Sequence, residues 1–184
     1  IDDIKVPAPM KGQVLVKILY AGLCHSQLME IQGKRGEDNY LPHMLGHEGV
    51  GEVVDTGTGV TKIKPGDKVV LGWIKGNGLD SGGCEYQTKK GMLINAGAIA
   101  AFSQYAIVSE NRLVLKPKST PDNLSVLYGC AVPTGLGMAL NNITTSQNKT
   151  IAFFGLGGIG ISALLSVKLH QFKQVIVIDV NADK

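Results

Sequence analysis

Three glycines with the spacing Gly-x-Gly-x-x-Gly constrain the fold of this chain more than any other feature of its sequence. They lie in the segment Gly155–Gly160 (GLGGIG), after an apolar run and before a stretch with a helical pattern. The first glycine of such a motif allows the tight turn out of a strand, and the last allows the following helix to pack closely. The sequence therefore predicts a strand at 150–154, a helix at 159–170 and a second strand at 174–179, which together form one βαβ unit.

The same loop predicts a site for a dinucleotide. Gly157 lets the backbone approach a pyrophosphate, and the helix N-terminus offers N–H donors and the positive end of its dipole. Asp179 ends the second strand about 20 residues after the loop, where a carboxylate accepts hydrogen bonds from ribose hydroxyls and repels a 2′-phosphate. Because Val180 and Asn181 follow it, with no arginine for a 2′-phosphate, the pattern favours NAD over NADP. A simple capping role for Asp179 is the alternative.

The part of the chain before residue 120 predicts a different architecture. Short apolar runs alternate with turns such as Thr56–Gly59 and Pro65–Asp67, a pattern typical of a barrel-like β domain. Helical patterns follow at 120–129 and 134–141. We therefore predict a mixed α/β fold with a β-rich domain at 1–130 and a βαβ-containing domain at 131–184. The predicted strands of the first domain are at 13–20, 48–55, 68–71, 103–109 and 113–116.

Cys24, His47 and Cys130 are three possible metal ligands. Two thiolates and one imidazole suit zinc and leave a fourth coordination position open, as catalytic zinc sites do. Each residue also has an ordinary explanation, since an isolated cysteine often serves as a small apolar side chain and an isolated histidine as a core residue. The odd count of three cysteines, far apart, argues against a disulfide framework. Thiols that bind metal need a reducing compartment, so we expect the cytoplasm.

The sequence around these residues resembles the zinc-dependent medium-chain alcohol dehydrogenases. The segment GHEGVG at 46–51 resembles the zinc signature of that family, GLCHS at 22–26 its first-ligand motif, and GCAVPTG at 129–135 its third-ligand motif. The order of these motifs and the phosphate loop match as well, so the resemblance covers nearly the whole chain. It implies a GroES-like β-barrel catalytic domain at 1–130, followed by the first βαβ unit of a truncated Rossmann domain that would bind NAD.

The resemblance also implies an activity, namely the reversible oxidation of an alcohol to an aldehyde or ketone with hydride transfer to NAD. It assigns one catalytic zinc ion to Cys24, His47 and Cys130. Ser26 matches the hydroxyl that hydrogen-bonds the alcohol and relays its proton. Glu48 matches a carboxylate near the metal, with a charged residue at a strand edge as the alternative. His25 matches a basic position beside the cofactor phosphates, or is a surface histidine.

Further positions follow from the same resemblance. Trp73, the single tryptophan, holds the place of an aromatic residue in the substrate pocket, and core packing is the alternative. Thr134 and Ile159 hold places that face the nicotinamide ring. Lys184 matches a lysine that contacts ribose, although an exposed lysine can also be only solvated. The implied cofactor residues are Thr134, Gly155, Gly157, Gly158, Ile159, Gly160, Asp179 and Lys184.

The chain departs from the family pattern in three places. Met29 lies five residues after Cys24, where many relatives carry a relay histidine, and Gln27 replaces an acidic residue that commonly follows the Ser/Thr. The stretch 74–102 contains one cysteine, Cys84, so a second, structural zinc held by four cysteines is excluded by count. The proton route beyond Ser26 therefore differs from that of the common alcohol dehydrogenases.

Two other functions stay open. One is a polyol or sugar dehydrogenase of the same superfamily, against which Cys130 argues because such relatives often place a glutamate there. The other is a non-catalytic nucleotide-binding or assembly module, which has no need of three metal ligands. The net charge of +3 is spread along the chain, so nucleic acid is not an expected partner. The eighteen uncharged residues at 150–167 reach the length of a membrane span, but their spaced glycines fit a strand, turn and helix better.

The chain starts at Ile1 inside a domain-like pattern, so we expect a fragment of a longer protein. The expected partner is a small-molecule alcohol or aldehyde. By the same resemblance, the full-length protein is expected to be a homodimer or homotetramer.

Overall fold

The computed structural model describes residues 3–143 and 149–184, and the contacts among its residues divide the chain into two units, Ile1–Cys130 and Ala131–Lys184. The first unit holds eight strands and two short helices, with 3₁₀ turns at Glu110–Arg112 and Val126–Gly129. In chain order its elements are β1 (Ile4–Lys5), β2 (Gln13–Ala21), α1 (His25–Ile31), β3 (Gly49–Thr56), β4 (Lys68–Leu71), β5 (Glu85–Thr88), β6 (Leu93–Asn95), β7 (Tyr105–Ser109), β8 (Leu113–Leu115) and α2 (Asp122–Ser125).

Five of these strands form an antiparallel sheet in the order β7-β2-β3-β4-β8, which curls into a half-barrel. Strands β1, β5 and β6 form a smaller antiparallel sheet. The register is set at the centre of the large sheet, where Val16 lies opposite Val53 of β3 and Ala106 of β7. The predicted β-rich fold of the first part of the chain is therefore confirmed.

Strand β2 contributes to two hydrophobic clusters because successive side chains of a strand point to opposite faces. Val14 and Val16 are fully buried in the main cluster, which also contains Val53 of β3. Leu15, on the other face, packs against a second cluster that contains the buried Tyr86 of β5. Strand β2 thus connects the two hydrophobic clusters, because its neighbouring apolar side chains pack on opposite faces.

The five predicted strands are confirmed, with ends that shift by one or two residues. Helix α1 and the short strands β5 and β6 are not predicted by the pattern. The residue before α1 is Cys24, whose side chain makes no capping hydrogen bond, so the usual start signal for a helix is missing. The predicted helix at 120–129 is shorter than expected, because α2 ends at Ser125 and the chain continues as a 3₁₀ turn.

The second unit contains α3 (Ala131–Asn142), β9 (Thr150–Phe154), α4 (Gly158–Leu165) and β10 (Gln174–Ile178). Strands β9 and β10 pair in parallel with α4 between them, which confirms the predicted βαβ unit and explains the uncharged run at 150–167. After Leu165 the chain forms a 3₁₀ turn over Ser166–Leu169 instead of continuing as α-helix. Across the described residues, no single helix has the length and apolar character that a membrane crossing requires. The helices Asp122–Gly129 and Ala131–Asn142, which a bend separates, have that length and apolar composition only when they are counted together.

One buried carboxylate connects three loop segments of the first unit. Glu110 is 1% exposed, and its Oε1 accepts hydrogen bonds from the backbone N–H groups of Thr61 (2.7 Å) and Lys62 (2.8 Å). Its Oε2 accepts a third hydrogen bond from the N–H of Leu79 at 2.8 Å. Burial by itself raises the pKa of Glu110, but the three N–H donors and the Lys62 ammonium outweigh it and hold this pKa below its ordinary value. The carboxylate thus links Leu79, within the segment 74–102, to the loop at Thr61 and Lys62.

We expect Glu110→Gln to lower the free energy of unfolding by about 1–3 kcal/mol, because an amide offers one acceptor oxygen where the carboxylate offers two charged ones. Since the folded state lowers the pKa of Glu110, this stabilisation exists above the pKa of the unfolded glutamate and is lost as the pH falls. The difference between wild type and variant in urea denaturation is therefore expected to shrink below about pH 4. Glu85→Gln, at an exposed position, is the matched control. Equal losses in both variants would contradict the cross-link.

Candidate metal centre and cofactor loop

Three segments that are far apart in sequence bring Cys24, His47 and Cys130 together. Cys24 lies after β2 and directly before α1, His47 lies two residues before β3, and Cys130 follows the 3₁₀ turn that ends at Gly129. The Sγ atoms of both cysteines and a ring nitrogen of His47 all lie within 4.8 Å of one another. The structure therefore assembles the predicted metal ligands inside the first unit.

Close packing around Glu48 explains why glycine stands beside two of these ligands. Glu48 is 3% exposed, and a Cβ atom at Gly22 would lie 2.5 Å from its Oε1. A Cβ atom at Gly129 would lie 2.4 Å from the Leu71 carbonyl oxygen and 2.7 Å from the Cβ of Glu48. Heavy atoms cannot approach that closely, so Gly22 leaves room for the Glu48 side chain, and Gly129 lets the third ligand segment pass close to the backbone of Leu71 and Glu48. The backbone N–H of Gly22 also donates a hydrogen bond to the Glu48 carbonyl at 3.2 Å.

Trp73 is anchored beside the third ligand through its backbone. Its N–H donates to the carbonyl of Gly129 at 3.4 Å, directly before Cys130. Its side chain is 48% exposed, so the indole is not an ordinary core residue.

His47 is oriented by Gln27, which is 6% exposed. The Gln27 amide nitrogen lies 2.6 Å from Nδ1 of His47, while the amide oxygen has no partner among the described residues. Rotating the amide by half a turn places the oxygen on Nδ1, where it accepts the ring N–H and gains the partner it lacks. Nε2 of His47 then carries the lone pair that a metal ion needs, and burial, the largest cause, lowers the pKa of this imidazole and favours its neutral form.

The two residues after Cys24 have different surroundings. His25, the first residue of α1, is exposed. Ser26 is half-buried, and its hydroxyl oxygen is shielded from solvent with no hydrogen-bond partner in the part of the chain that is described. A buried hydroxyl without a partner is costly in a folded protein, so Ser26 is a candidate for binding a polar group of a ligand.

These residues fit a zinc ion. Zinc ligands at bond lengths of about 2.0–2.3 Å lie about 3.5–4 Å apart in a tetrahedron, a spacing that the 4.8 Å limit on the three ligand atoms allows. The donor set of two sulfurs and one imidazole is the one that zinc prefers, and Gln27 supplies the partner that a metal-bound histidine usually has on its other nitrogen.

The glycine loop of the second unit has the conformation that its sequence predicts. Gly155 has φ of 90°, in the left-handed region that favours glycine. A Cβ atom at Gly160 would lie 1.9 Å from the Gly155 carbonyl oxygen, so only glycine allows α4 to begin against this turn. Gly157, at the start of α4, and Gly158 have open or ordinary surroundings within the described residues. Packing among the described residues therefore does not require glycine at either position.

Asp179 is fixed by the same loop. Its Oδ2 accepts the Leu156 N–H at 2.5 Å and its Oδ1 the Asn181 N–H at 2.9 Å. The hydrogen bond from Leu156 is the main reason why the pKa of Asp179 is below its ordinary value. Nζ of Lys184 lies 3.8 Å from Oδ2. These hydrogen bonds hold the Asp179 carboxylate against the glycine loop, and each oxygen keeps a lone pair for another donor.

Thr134 and Ile159 lie on the two packed helices of the second unit. The helices approach closely next to Thr134, since a Cβ atom at Gly135 would lie 2.2 Å from the Ile159 carbonyl oxygen. The side chain of Ile159 is 48% exposed. The structure thus brings these two residues to one helix pair beside the glycine loop.

One cluster of metal-binding residue types was missed by the sequence pattern. Glu30, Asp38 and His43 each place one ligand atom within 4.8 Å of the others. Their spacing matches no common metal motif, and α1, which carries Glu30, was itself not predicted. The sequence indicates this cluster only by placing two acidic residues and a histidine in one short stretch.

The chain is similar to known proteins along most of its length. Residues 10–118, more than half of the chain, match the alcohol dehydrogenase GroES-like domain. An S-(hydroxymethyl)glutathione dehydrogenase of Photobacterium damsela subsp. piscicida is 32% identical over 99% of this chain and 56% of its own length. A class-3 alcohol dehydrogenase of Myxine glutinosa is also 32% identical, over 100% of this chain and 55% of its own length. The chain therefore spans about half the length of these relatives.

Two solved structures have the same fold. An alcohol dehydrogenase zinc-binding domain protein from Burkholderia ambifaria superposes with a TM-score of 0.86 at 26% identity, covering 99% of this chain and 55% of that one. Benzyl alcohol dehydrogenase from Acinetobacter calcoaceticus gives a TM-score of 0.81 at 29% identity, covering 98% and 54%. From the matched domain and these relatives, we conclude that the chain belongs to the family of alcohol dehydrogenases with a GroES-like domain.

Proposed function

We propose that this chain is part of a zinc-dependent dehydrogenase that reversibly oxidises an alcohol to an aldehyde or ketone by hydride transfer to NAD. The convergence of Cys24, His47 and Cys130 on one point is the observation that carries the proposal. The family match and the names of the relatives support the same reaction. Since the chain spans about half of those relatives, the proposal concerns the full-length protein.

In this proposal Cys24, His47 and Cys130 hold the zinc ion. Zinc bound there supplies a Lewis acid, which polarises an alcohol oxygen and lowers the pKa of its O–H group. Gln27 holds the imidazole of His47 in the tautomer that binds metal, but as a neutral amide it adds less negative charge than an acidic residue would. Glu48 directly follows the ligand His47 and packs against Gly22 and Gly129 of the other two ligand segments.

Ser26 is the proposed proton acceptor of the reaction. Its shielded oxygen lacks a partner among the described residues, and a substrate O–H would supply one. Ser26 would accept the substrate proton while giving its own hydroxyl proton to a water molecule that enters with the ligands. The side chain of Met29 cannot carry a proton, so the outward route does not pass through the position of the common relay histidine.

The second unit is proposed to be the start of a Rossmann domain that binds NAD. Gly157 and Gly158 have no packing reason to be glycine, which fits a pyrophosphate that approaches the backbone there. Asp179 keeps lone pairs for ribose hydroxyls while the loop holds it in place. His25, Lys184, Thr134 and Ile159 are proposed as additional cofactor contacts.

The alcohol itself is proposed only by class. The relatives are named for a glutathione adduct and for benzyl alcohol, so both belong in a substrate panel together with short alcohols and polyols. Cys130 as the third ligand favours the alcohol type over the polyol type. We also propose that the enzyme is cytoplasmic, because its metal-binding thiols must stay reduced. The resemblance to the family is the reason to propose a homodimer or homotetramer.

The central test measures zinc content and NAD reduction in the full-length protein across that panel. We expect one tightly bound zinc ion per chain and activity toward at least one alcohol. Cys24→Ala is expected to abolish the activity and the zinc ion held at the thiolate centre, because two ligands no longer hold the metal there. Cys84→Ala, which changes a cysteine outside the site, is the control and should keep both. Full activity in Cys24→Ala, or a wild-type protein without zinc, would refute the proposal.

Gln27→Leu is expected to weaken zinc binding by about 10–100-fold, because the ring N–H of His47 loses its acceptor while the volume of the side chain is preserved. Competition with a chelator measures this affinity. Gln32→Leu, an exposed glutamine at the end of the same helix, should leave it unchanged. Equal zinc affinity in wild type and Gln27→Leu would show that Gln27 does not orient the ligand.

Trp73→Ala is expected to raise kcat/KM for bulky alcohols relative to ethanol, since the half-exposed indole next to the third ligand segment narrows access to the site. Ile74→Ala removes a neighbouring side chain that is 45% exposed and serves as the matched control. A substrate range that is the same in Trp73→Ala and wild type would exclude Trp73 from the substrate pocket.

A further inference from the structure

We propose that Glu30, Asp38 and His43 form a second site for a divalent metal ion, separate from the Cys24–His47–Cys130 centre. Nε2 of His43 lies 2.6 Å from Oδ2 of Asp38 and 3.5 Å from Oε1 of Glu30. Two ligands at about 2.0–2.2 Å from one ion lie about 3.0–3.5 Å apart between octahedral and tetrahedral angles. The observed separations bracket that range, so a small adjustment of Asp38 suffices to admit the ion.

The tautomer of His43 is fixed from outside the cluster. Its Nδ1 lies 2.9 Å from the carbonyl oxygen of Met44, and because that oxygen can only accept, Nδ1 carries the proton. In neutral His43, Nε2 therefore presents a lone pair to two carboxylate oxygens. Three lone pairs that point at one another require a positive charge between them, either a proton on Nε2 or a metal ion.

Each carboxylate uses one oxygen to contact a group outside the cluster and directs its other oxygen toward His43. Asp38 accepts the Tyr40 N–H with Oδ1 at 2.9 Å and directs Oδ2 inward. Glu30 has Oε2 3.9 Å from Nη1 of Arg35 and directs Oε1 inward. Second partners of this kind orient the ligands of protein metal sites. The arrangement is thus preorganised by groups that do not themselves face the ion.

The backbone around His43 is fixed as well. Met44 donates its N–H to the Asn95 carbonyl at 2.8 Å, and Asn95 donates to the Pro42 carbonyl at 3.0 Å, so His43 sits against strand β6. The His43 side chain is 12% exposed and the two carboxylates 27–28%, so the cluster is partly shielded yet open to an ion from solvent.

The position of the cluster suggests what a bound ion would do. Glu30 lies near the end of α1, whose first turn follows Cys24, and His43 lies four residues before His47. An ion held by Glu30, Asp38 and His43 would tie these two segments together outside the catalytic centre. The site is therefore proposed as structural, and one imidazole with two carboxylates suits Zn²⁺, Co²⁺ or Mn²⁺.

The test removes the thiolate site and measures what remains. In the full-length protein with Cys24→Ser and Cys130→Ser, titration with Zn²⁺ followed by calorimetry is expected to show one bound equivalent. Asp38→Asn and His43→Gln, each added to that background, are expected to weaken this binding by at least about tenfold. Glu37→Gln, a carboxylate on the same loop outside the cluster, is the matched control and should bind Zn²⁺ normally. No binding in the background protein, or binding that neither variant weakens, would overturn the proposal.

Titration of the wild type with Co²⁺ gives an answer even where the double cysteine variant fails to fold. With the thiolate centre filled by Zn²⁺, added Co²⁺ is expected to give the weak d–d bands of a nitrogen–oxygen site without the intense sulfur-to-cobalt absorption. Asp38→Asn should abolish these bands.

NMR of His43 at pH 8 shows whether a metal ion or a proton occupies Nε2. With Zn²⁺ on Nε2, the ring keeps a single N–H, the one on Nδ1. A His43 ring that stays doubly protonated in excess Zn²⁺ would show that a proton holds the cluster. The outcome is independent of the catalytic zinc, which Cys24→Ala reports separately.

Affinity for the ion is expected to rise with pH through the titration of His43, since metal and proton compete for Nε2. The hydrogen bond to the Met44 carbonyl is the largest influence and raises the pKa of His43; burial opposes it, and Asp38 and Glu30 add to it. Arg35, beside Glu30, is the other charged group at the cluster. A Zn²⁺ affinity that does not change between pH 6 and pH 8 would contradict ligation through His43.

Discussion

Close packing around one buried glutamate is the constraint on which the candidate metal centre depends. The Glu48 carboxylate fills the space of a side chain at Gly22, and the Leu71 carbonyl together with Glu48 leaves no space for one at Gly129. Three segments of chain thereby meet with their ligand residues facing the same point. Neither glycine is a metal ligand, but the ligand segments could not approach one another as they do with a larger residue at either position.

The convergence of Cys24, His47 and Cys130 and the turn of the glycine loop follow from local motifs in the sequence, because those motifs allow their residues few other arrangements. The five strands of the large sheet were also predictable, since short apolar runs bounded by turn residues mark each of them, although the packing of Leu15 on the second face of β2 was not. Helix α1 was not, because Cys24 is constrained by chemistry and provides no capping side chain. The cross-link at Glu110 and the cluster at His43 were equally out of reach, since both depend on contacts between loops that no local pattern encodes.

Two residues shortly after Cys24 depart from the pattern of the family that the sequence resembles. Gln27 replaces a charge with a dipole, so the imidazole of His47 is oriented without the extra negative potential of a carboxylate. Met29 replaces a group that could carry a proton with one that cannot. Both changes alter the second layer around the site while the three proposed ligands stay the same, so differences in rate and pH dependence within the family are to be expected from this layer.

The two-sided packing of β2 has a consequence for how the first unit comes apart. Since Val14 and Val16 belong to one core and Leu15 to the other, neither sheet can lose its core without exposing the same strand. The two sheets should therefore unfold in a single cooperative step. In hydrogen–deuterium exchange, the amides at the centre of β2 would report the global stability of the unit, and those of the outer strand β8 would exchange earlier by fraying.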